Sequence, residues 1–406
     1  MIHVGIDWGR HGHYFVAVSE DGHVLDNGRV EHSFPALEQM RARLNKLEPD
    51  ATQVRVAFEM HSGGLLQWLR NQDYSLYTIA SNSSDSAREL FSPSGGKDDP
   101  RDASTLAELL RMDAKCMRRH DPLPELSEVL LQWLRMREDL VQARVAIQHQ
   151  MRAILAEFSP ELSKACNNFR CNWQRTLLAS YPSQHALRQA RWEEIAAICS
   201  RCRSAALERV RAAFETEAMP LSAQKLEVIE QELLLLLEDL ERLTERINEI
   251  ENKLEELIAD HPRKHLAESL PVRGIVTRAT LLAIMARADT LHWEDLVTEW
   301  GVVPVTKQSG SHREVRRRKA CNHHICRFLT QFAFNTLQFE GSWAREYYDN
   351  KKAEDEKKNK GNKGDKRHFT RLRCLAKGWV KILWAMWRDN AEYDEQYHQA
   401  NRRTAA

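Results

Sequence analysis

An α/β domain, a long helical coiled coil and a mainly α C-terminal domain, in that order, is the fold class this 406-residue sequence predicts. Three observations carry it. Short apolar runs separated by turn residues alternate with helical patterns over the first hundred residues. Leucine and isoleucine then recur at alternating three- and four-residue steps from Leu226 to Leu257. After His261-Pro262 the character changes to helical segments broken by one loop and one Lys-, Asn- and Gly-rich stretch. The expected divisions are 1–125 for the α/β domain, 126–261 for the helical region, 262–395 for the C-terminal domain and 396–406 for a tail.

In the first domain His3–Asp7 and Tyr14–Ser19 read as strands, and Asp21-Gly22 as a hairpin turn into a third strand, His23–Val30. Pro35 starts a helix with Leu37, Met40, Leu44 and Leu47 on one face. Val54–Glu59 is a fourth strand, a helix carries Leu65, Leu66 and Leu69, and Leu76–Ala80 is a fifth strand. Three meandering strands, then helix, strand, helix, strand, is the order of the ribonuclease-H-like fold, RuvC type included. Asp99-Pro100 restarts a helix, with Asp as the cap and Pro at the first helical position.

Leu126–Phe158 and Ser222–Ile258 read as long helices. In the second, Leu226, Ile229, Leu233, Leu236, Leu240, Leu243, Ile247, Ile250, Leu254 and Leu257 form a heptad seam, either self-associating or antiparallel to the preceding long helix. Asn167–Phe214 between them carries no readable motif. In the C-terminal domain, Val302–Arg313 reads as a loop, Lys351–Lys366 as a mobile basic loop and Phe369–Asn390 as a helix with Leu372, Leu375, Trp379, Ile382, Leu383 and Trp387 facing a core.

Hydrophobic residues at 42% and charged residues at 29% describe a soluble chain with enough apolar content for real cores. No apolar run is long enough to cross a bilayer and the N-terminus lacks a basic leader, so the expectation is a cytoplasmic, nucleoid-associated protein with no membrane partner. The net charge of +1 hides an uneven distribution. Acid dominates 227–256 and base dominates 307–319 and 351–373, which points to an associating middle and a polyanion-binding C-terminal part. Cys166-x4-Cys171 and Cys199-x2-Cys202 supply enough thiolates for a structural zinc, against reduced, partly buried thiols as the simpler reading.

Asp7 and Glu59 end the first and fourth strands, which are neighbours in this fold; Asp99 and Asp102 lie three apart on one helix face. Each has an ordinary reading as a strand-end or helix-capping acid. Together they would repel unless a cation neutralised them, and hard oxygen ligands on rigid elements suit magnesium beside a phosphodiester. Gly5–Gly9 also resembles the first phosphate loop of sugar kinases and actin-like ATPases, but their second Asp-x-Gly loop and Gly-rich adenosine motif are missing among only 16 glycines.

Ser309 stands in a loop ahead of a basic run read as helical, with Lys307, Arg313, Arg316, Arg317, Arg318 and Lys319 around it. A serine there could attack a phosphodiester and hold the bond energy in a phosphoserine ester, while the cations bind the phosphate backbone.

Read together, the two ends of the chain resemble the DEDD-type insertion-sequence transposases. The resemblance rests on Val4-Gly5-Ile6-Asp7, Phe58-Glu59, and Lys97-Asp98-Asp99-Pro100-Arg101-Asp102-Ala103 followed by Leu106-Ala107-Glu108-Leu109-Leu110. Further on it rests on Ala279-Thr280-Leu281-Leu282-Ala283, Trp300-Gly301-Val302-Val303-Pro304, Gln308-Ser309-Gly310, Asn322, Arg327 and Lys377. It covers roughly 1–158 and 262–390. Departures are Pro271-Val272-Arg273-Gly274 in place of Pro-Gly-Ile-Gly, Cys321 in place of Gly, and Glu59-Met60-His61-Ser62-Gly63 in place of Glu-Ala-Thr-Gly.

The resemblance implies a RuvC-like domain with Asp7, Glu59, Asp99 and Asp102 binding Mg2+, and a transposase domain with Ser309 as nucleophile. It further implies a composite site assembled between subunits of a homo-oligomer (dimer or tetramer), a phosphoserine intermediate, and DNA partners chosen by a bridge RNA. The expected function is therefore DNA strand cleavage and exchange by a transposase. The rival readings are a RuvC-like magnesium nuclease using water, and a non-catalytic coiled-coil nucleic-acid-binding protein.

Overall fold

A computed structural model describes residues 1–59, 63–79, 98–310, 312–358 and 367–404. The chain divides into two compact units, 1–123 with 318–320, and 124–317 with 321–406.

The first unit is built on a six-stranded sheet of order β3-β2-β1-β4-β5-β6. β1 (Ile2–Asp7), β2 (Gly12–Ser19) and β3 (Val24–Glu31) form an antiparallel meander; β4 (Val54–Phe58) and β5 (Ser75–Thr78) extend it in parallel with β1. The expected strand order is therefore present. The end of the fifth strand expected at Ala80 lies outside the described residues, and a two-residue antiparallel edge strand, β6 (Arg118–Arg119), was not expected. So short a strand carries no periodicity to read.

Both faces of the sheet are covered, which is why β1 reads as nearly continuous apolar sequence. Ile2, Val4 and Ile6 pack with Leu37, Met40 and Leu44 of α1 (Phe34–Leu47) and Leu65, Leu66 and Leu69 of α2 (Gly64–Arg70). On the opposite face Val16, Val18 and Ala57 meet Ala103, Leu106, Ala107 and Leu110 of α3 (Asp99–Met112).

In the second unit α4 (Glu125–Phe158) and α10 (Ala223–Ala259) lie side by side and antiparallel. Arg137, early in α4, ion-pairs with Glu251, late in α10, at 2.6 Å, whereas Met151 and Leu155 share a core with Leu233, Leu237 and Leu240. The seam departs from strict heptads. Leu237 and Ile258 are buried where Leu236 and Leu257 were expected, and Leu243 is only half-buried. An α-helix with 3.6 residues per turn drifts by about 20° per heptad.

Between the long helices, residues 160–215 fold into five short helices: α5 (Pro160–Ala165), α6 (Asn172–Ser180), α7 (Gln184–Gln189), α8 (Trp192–Ile198) and α9 (Ser204–Glu215). Their core of Leu162, Phe169, Leu177, Leu187, Ile195 and Val210 is completed by the same stretch of α4 and α10. Cys166 and Cys199 sit inside it, and burial pushes both thiols up, Cys199 to about 12. The seven cysteines with described side chains are all free thiols, and no metal-holding group of three or more His, Cys, Asp or Glu exists among the described residues.

The rest of this unit packs α11 (Lys264–Glu268), α12 (Ile275–Met285), α13 (Trp293–Glu299), α14 (His323–Thr336), α15 (Trp343–Lys358) and α16 (His368–Asp389) around Trp300, Phe332, Trp343, Leu375, Trp379 and Leu383. Three expectations are corrected. The basic stretch from Lys351 is helical to Lys358, because ion pairs such as Lys351–Glu354 follow helical spacing; 359–366 lie outside the described residues. The expected tail carries α17 (Glu395–Thr404), anchored where Glu395 accepts from the Trp343 backbone N–H at 2.6 Å. The expected loop at Val302–Arg313 contains a hairpin, β7 (Val305–Ser309) and β8 (His312–Arg316), so the basic run begins as strand and not as helix. Gly310 takes φ +57°, the positive φ a tight hairpin turn uses. No described helix is long and apolar enough to cross a membrane.

Candidate active site

The acids sit where strand ends and a helix start meet. β1 and β4 are parallel with Ile6 opposite Phe58, so Asp7 and Glu59 follow one another at the same end of adjacent strands. α3 lies directly on β1: a Cβ on Gly5 would overlap the carbonyl oxygen of Ala103 and the backbone nitrogen of Ala107. Glycine at position 5 thus lets the helix carrying Asp99 and Asp102 approach the strand carrying Asp7. Asp102 is buried, at 9% exposure, Asp7 and Glu59 are half-buried, and Asp99 is exposed.

The cap of α3 is Asp98, not Asp99. Its side chain accepts from the Arg101 backbone N–H at 2.9 Å, and its carboxylate lies 3.4 Å from the Arg101 guanidinium. Asp99 and Pro100 open the first turn. Asp99 and Asp102 both lie in the first turn, where the helix dipole favours negative charge.

Among the described residues no group of three or more His, Cys, Asp or Glu is placed to hold a metal ion, so Asp7, Glu59, Asp99 and Asp102 are not gathered into the four-carboxylate ligand set that the sequence suggested.

Ser309 is placed in the second unit, at the end of β7 and exposed. Lys307 stands opposite Glu314, Gln308 opposite Arg313 and Val305 opposite Arg316. Both strands are open to solvent, including Val315 at 60%. The Glu314–Arg316 ion pair, 2.6 Å, holds that carboxyl below and that guanidinium above their ordinary values. Arg317 and Lys319 are exposed and Arg318 is half-buried.

Trp300 is fully buried, and Gly301, at φ +68°, passes so close to Cys321 that a Cβ would overlap its sulfur. Asn322 caps α14 by accepting from the Ile325 backbone N–H at 3.1 Å. Lys377 and Lys381 stand over the Trp293 ring at 5.8 and 5.4 Å. Sequence reasoning missed Glu138, which reaches Arg327 at 3.3 Å and His324 at 3.4 Å; an isolated acid on a charged helix gives no signal for a partner so distant in sequence.

A ribonuclease-H-like sheet with Asp7 and Glu59 at the same end of its two central strands fits a class of enzymes that process nucleic acids. Comparison with known proteins narrows it. A DEDD transposase model of the IS110 group matches residues 4–160, and the model described as transposase IS116/IS110/IS902 family matches residues 264–349. The chain belongs to this family of transposases, enzymes that cut and recombine DNA. Among its relatives is the IS900 42 kDa protein of Mycobacterium paratuberculosis, 26% identical over 99% of this chain and 98% of that one. The IS116 44.8 kDa protein of Streptomyces clavuligerus is 25% identical over 96% and 95%. A protein of the IS117 mini-circle from Streptomyces coelicolor is 26% identical over 82% and 84%.

Proposed function

We propose that this transposase recombines DNA through a phosphoserine intermediate formed on Ser309, with Mg2+ held by Asp7, Glu59, Asp99 and Asp102. The observation that supports the acid site most is the close seating of α3 on Gly5 beside the parallel ends of β1 and β4. Bound magnesium would supply charge neutralisation and Lewis-acid activation at the scissile phosphate.

The Ser309 hydroxyl loses its proton, its Oγ forms a bond to phosphorus, and the bond from phosphorus to the leaving strand oxygen breaks. That oxygen takes a proton and becomes a hydroxyl. A hydroxyl of the incoming strand then reverses the exchange, restoring the serine. Because phosphoserine conserves the ester bond, no external energy source is needed. Lys307, Arg313, Arg316, Arg317, Arg318 and Lys319 bind the phosphate backbone.

The resemblance of the chain's two ends further supports a bridge RNA that selects donor and target, and a dimer or tetramer as the active species. Val228 and Leu235 on α10, 66% and 60% exposed, offer apolar surface for a second copy in a coiled coil. In this reading 126–261 is the helical connector between the RuvC-like domain, 1–125, and the transposase domain, 262–395.

The test uses the full chain with its co-purified RNA and a supercoiled donor–target pair. Ser309→Ala should lose strand exchange completely, and Asp7→Asn or Asp102→Asn should lose cleavage by at least ~100-fold at unchanged DNA binding. Cleavage that survives in Ser309→Ala would favour a water nuclease. Normal cleavage in both acid variants would overturn the metal site.

A further inference from the structure

We propose that His312 is the proton acceptor that activates Ser309. This rests on Ser309 being the nucleophile. In β7–β8, Ser309 and His312 are direct cross-strand partners, the last residue of one strand and the first of the other. Directly opposed residues of an antiparallel pair project from the same face with Cβ atoms about 5 Å apart. An imidazole at that spacing reaches a serine hydroxyl by rotation about its own side-chain torsions, and such bonds tighten only when substrate arrives.

The pleat decides the remaining neighbours. Val305, Lys307 and Ser309 share one face with His312, Glu314 and Arg316, while Thr306, Gln308, Arg313 and Val315 occupy the other. The serine face therefore carries a nucleophile, a proton acceptor and two cations, Lys307 and Arg316, with Glu314 paired to Arg316. Both Ser309 and His312 are exposed, so a phosphodiester can reach them without displacing any of the described core.

The step balances. His312 takes the Ser309 proton as Oγ bonds to phosphorus; the leaving strand oxygen, on the far side of the phosphorus, takes a proton from water as its bond breaks, and the imidazolium gives its own proton back to water. His312 ends neutral, ready to repeat the sequence in reverse for strand joining. The charged groups that share this face with His312 are Lys307, Arg316 and Glu314.

The experiment follows the rate of covalent protein–DNA adduct formation in the full RNA-bound protein, with DNA binding measured in parallel. Wild type should form the adduct, and Ser309→Ala should not; an adduct in Ser309→Ala would sink the nucleophile assignment and this proposal with it. His312→Ala should bind DNA normally but form adduct 100- to 10,000-fold more slowly, the range a general base contributes. Added imidazole should recover part of that rate, and His312→Gln should lose the rise in rate across the pH range where imidazole gives up its proton. Adduct formation in His312→Ala at the wild-type rate, or a slow rate that imidazole leaves unmoved, overturns the role of His312 while leaving Ser309 as nucleophile.

Discussion

Gly5 shows how much one residue without a side chain controls. Because any Cβ there would overlap the backbone of Ala103 and Ala107, Gly5→Ala must push α3 away from β1, and with it Asp99 and Asp102. We expect a loss of about 1–3 kcal/mol in stability from the forced repacking. A fall in cleavage far larger than the fall in DNA binding should accompany it. Equal losses of both would mean that α3 does not serve the acids. Asp98→Ala should behave differently: losing a cap costs about 1 kcal/mol and leaves most of the cleavage.

His13 supplies a pH-dependent term at the same scale. It is buried, its Nε2 lies 2.8 Å from Nδ1 of His32, and burial first, then the His32 ring, lowers it to about 4. The unfolded chain therefore holds more protons than the folded one between the ordinary histidine value, about 6.5, and about 4. Stability should fall as pH drops through that window, and Tm measured against pH should flatten there in His13→Asn. An unchanged slope in that variant would remove His13 as the cause.

Among elements, α10 separates what spacing reveals from what packing decides. Its length and amphipathic character were legible in the leucine repeat, but the strict seam was not. Leu237 is buried instead of Leu236 because α5–α9 cover a second side of the helix near its start, and short helices that borrow their core from elsewhere leave little periodicity of their own. Leu237→Ala should cost about 2–5 kcal/mol. Leu235→Ala, at a position 60% exposed, should stay within about 0.5 kcal/mol in the isolated chain. Similar costs in chemical denaturation would contradict the assigned face. The β7–β8 hairpin was hidden for a related reason. Its strands are polar on both faces, so no alternation marks them. The Arg/Lys run at 313–319 was legible as basic but not as strand.

For the whole molecule, the sheet order was readable because each strand of the first unit buries apolar residues in short, turn-bounded runs. Asp7 and Glu59 were readable as candidates because they fall at the ends of those runs, and Asp99 and Asp102 because they open a helix. That Asp7 and Glu59 follow adjacent parallel strands, and that the helix of Asp99 and Asp102 seats on Gly5, depended on a register and a close approach that no spacing rule contains. Ser309 was marked weakly by its place ahead of a basic run and more firmly by the likeness of the C-terminal segment to a transposase family, and its cross-strand partner His312 only by the hairpin register. Two segments far apart in sequence thus carry the two halves of one proposed chemistry, acids for the metal and serine for the strand. The measurement that tests this most directly is peptide mapping by mass spectrometry of protein trapped during strand exchange. The account predicts a nucleotide phosphoryl group on Ser309, absent when magnesium is chelated. A phosphoryl group on any other residue, or productive exchange with none on the protein, would contradict it.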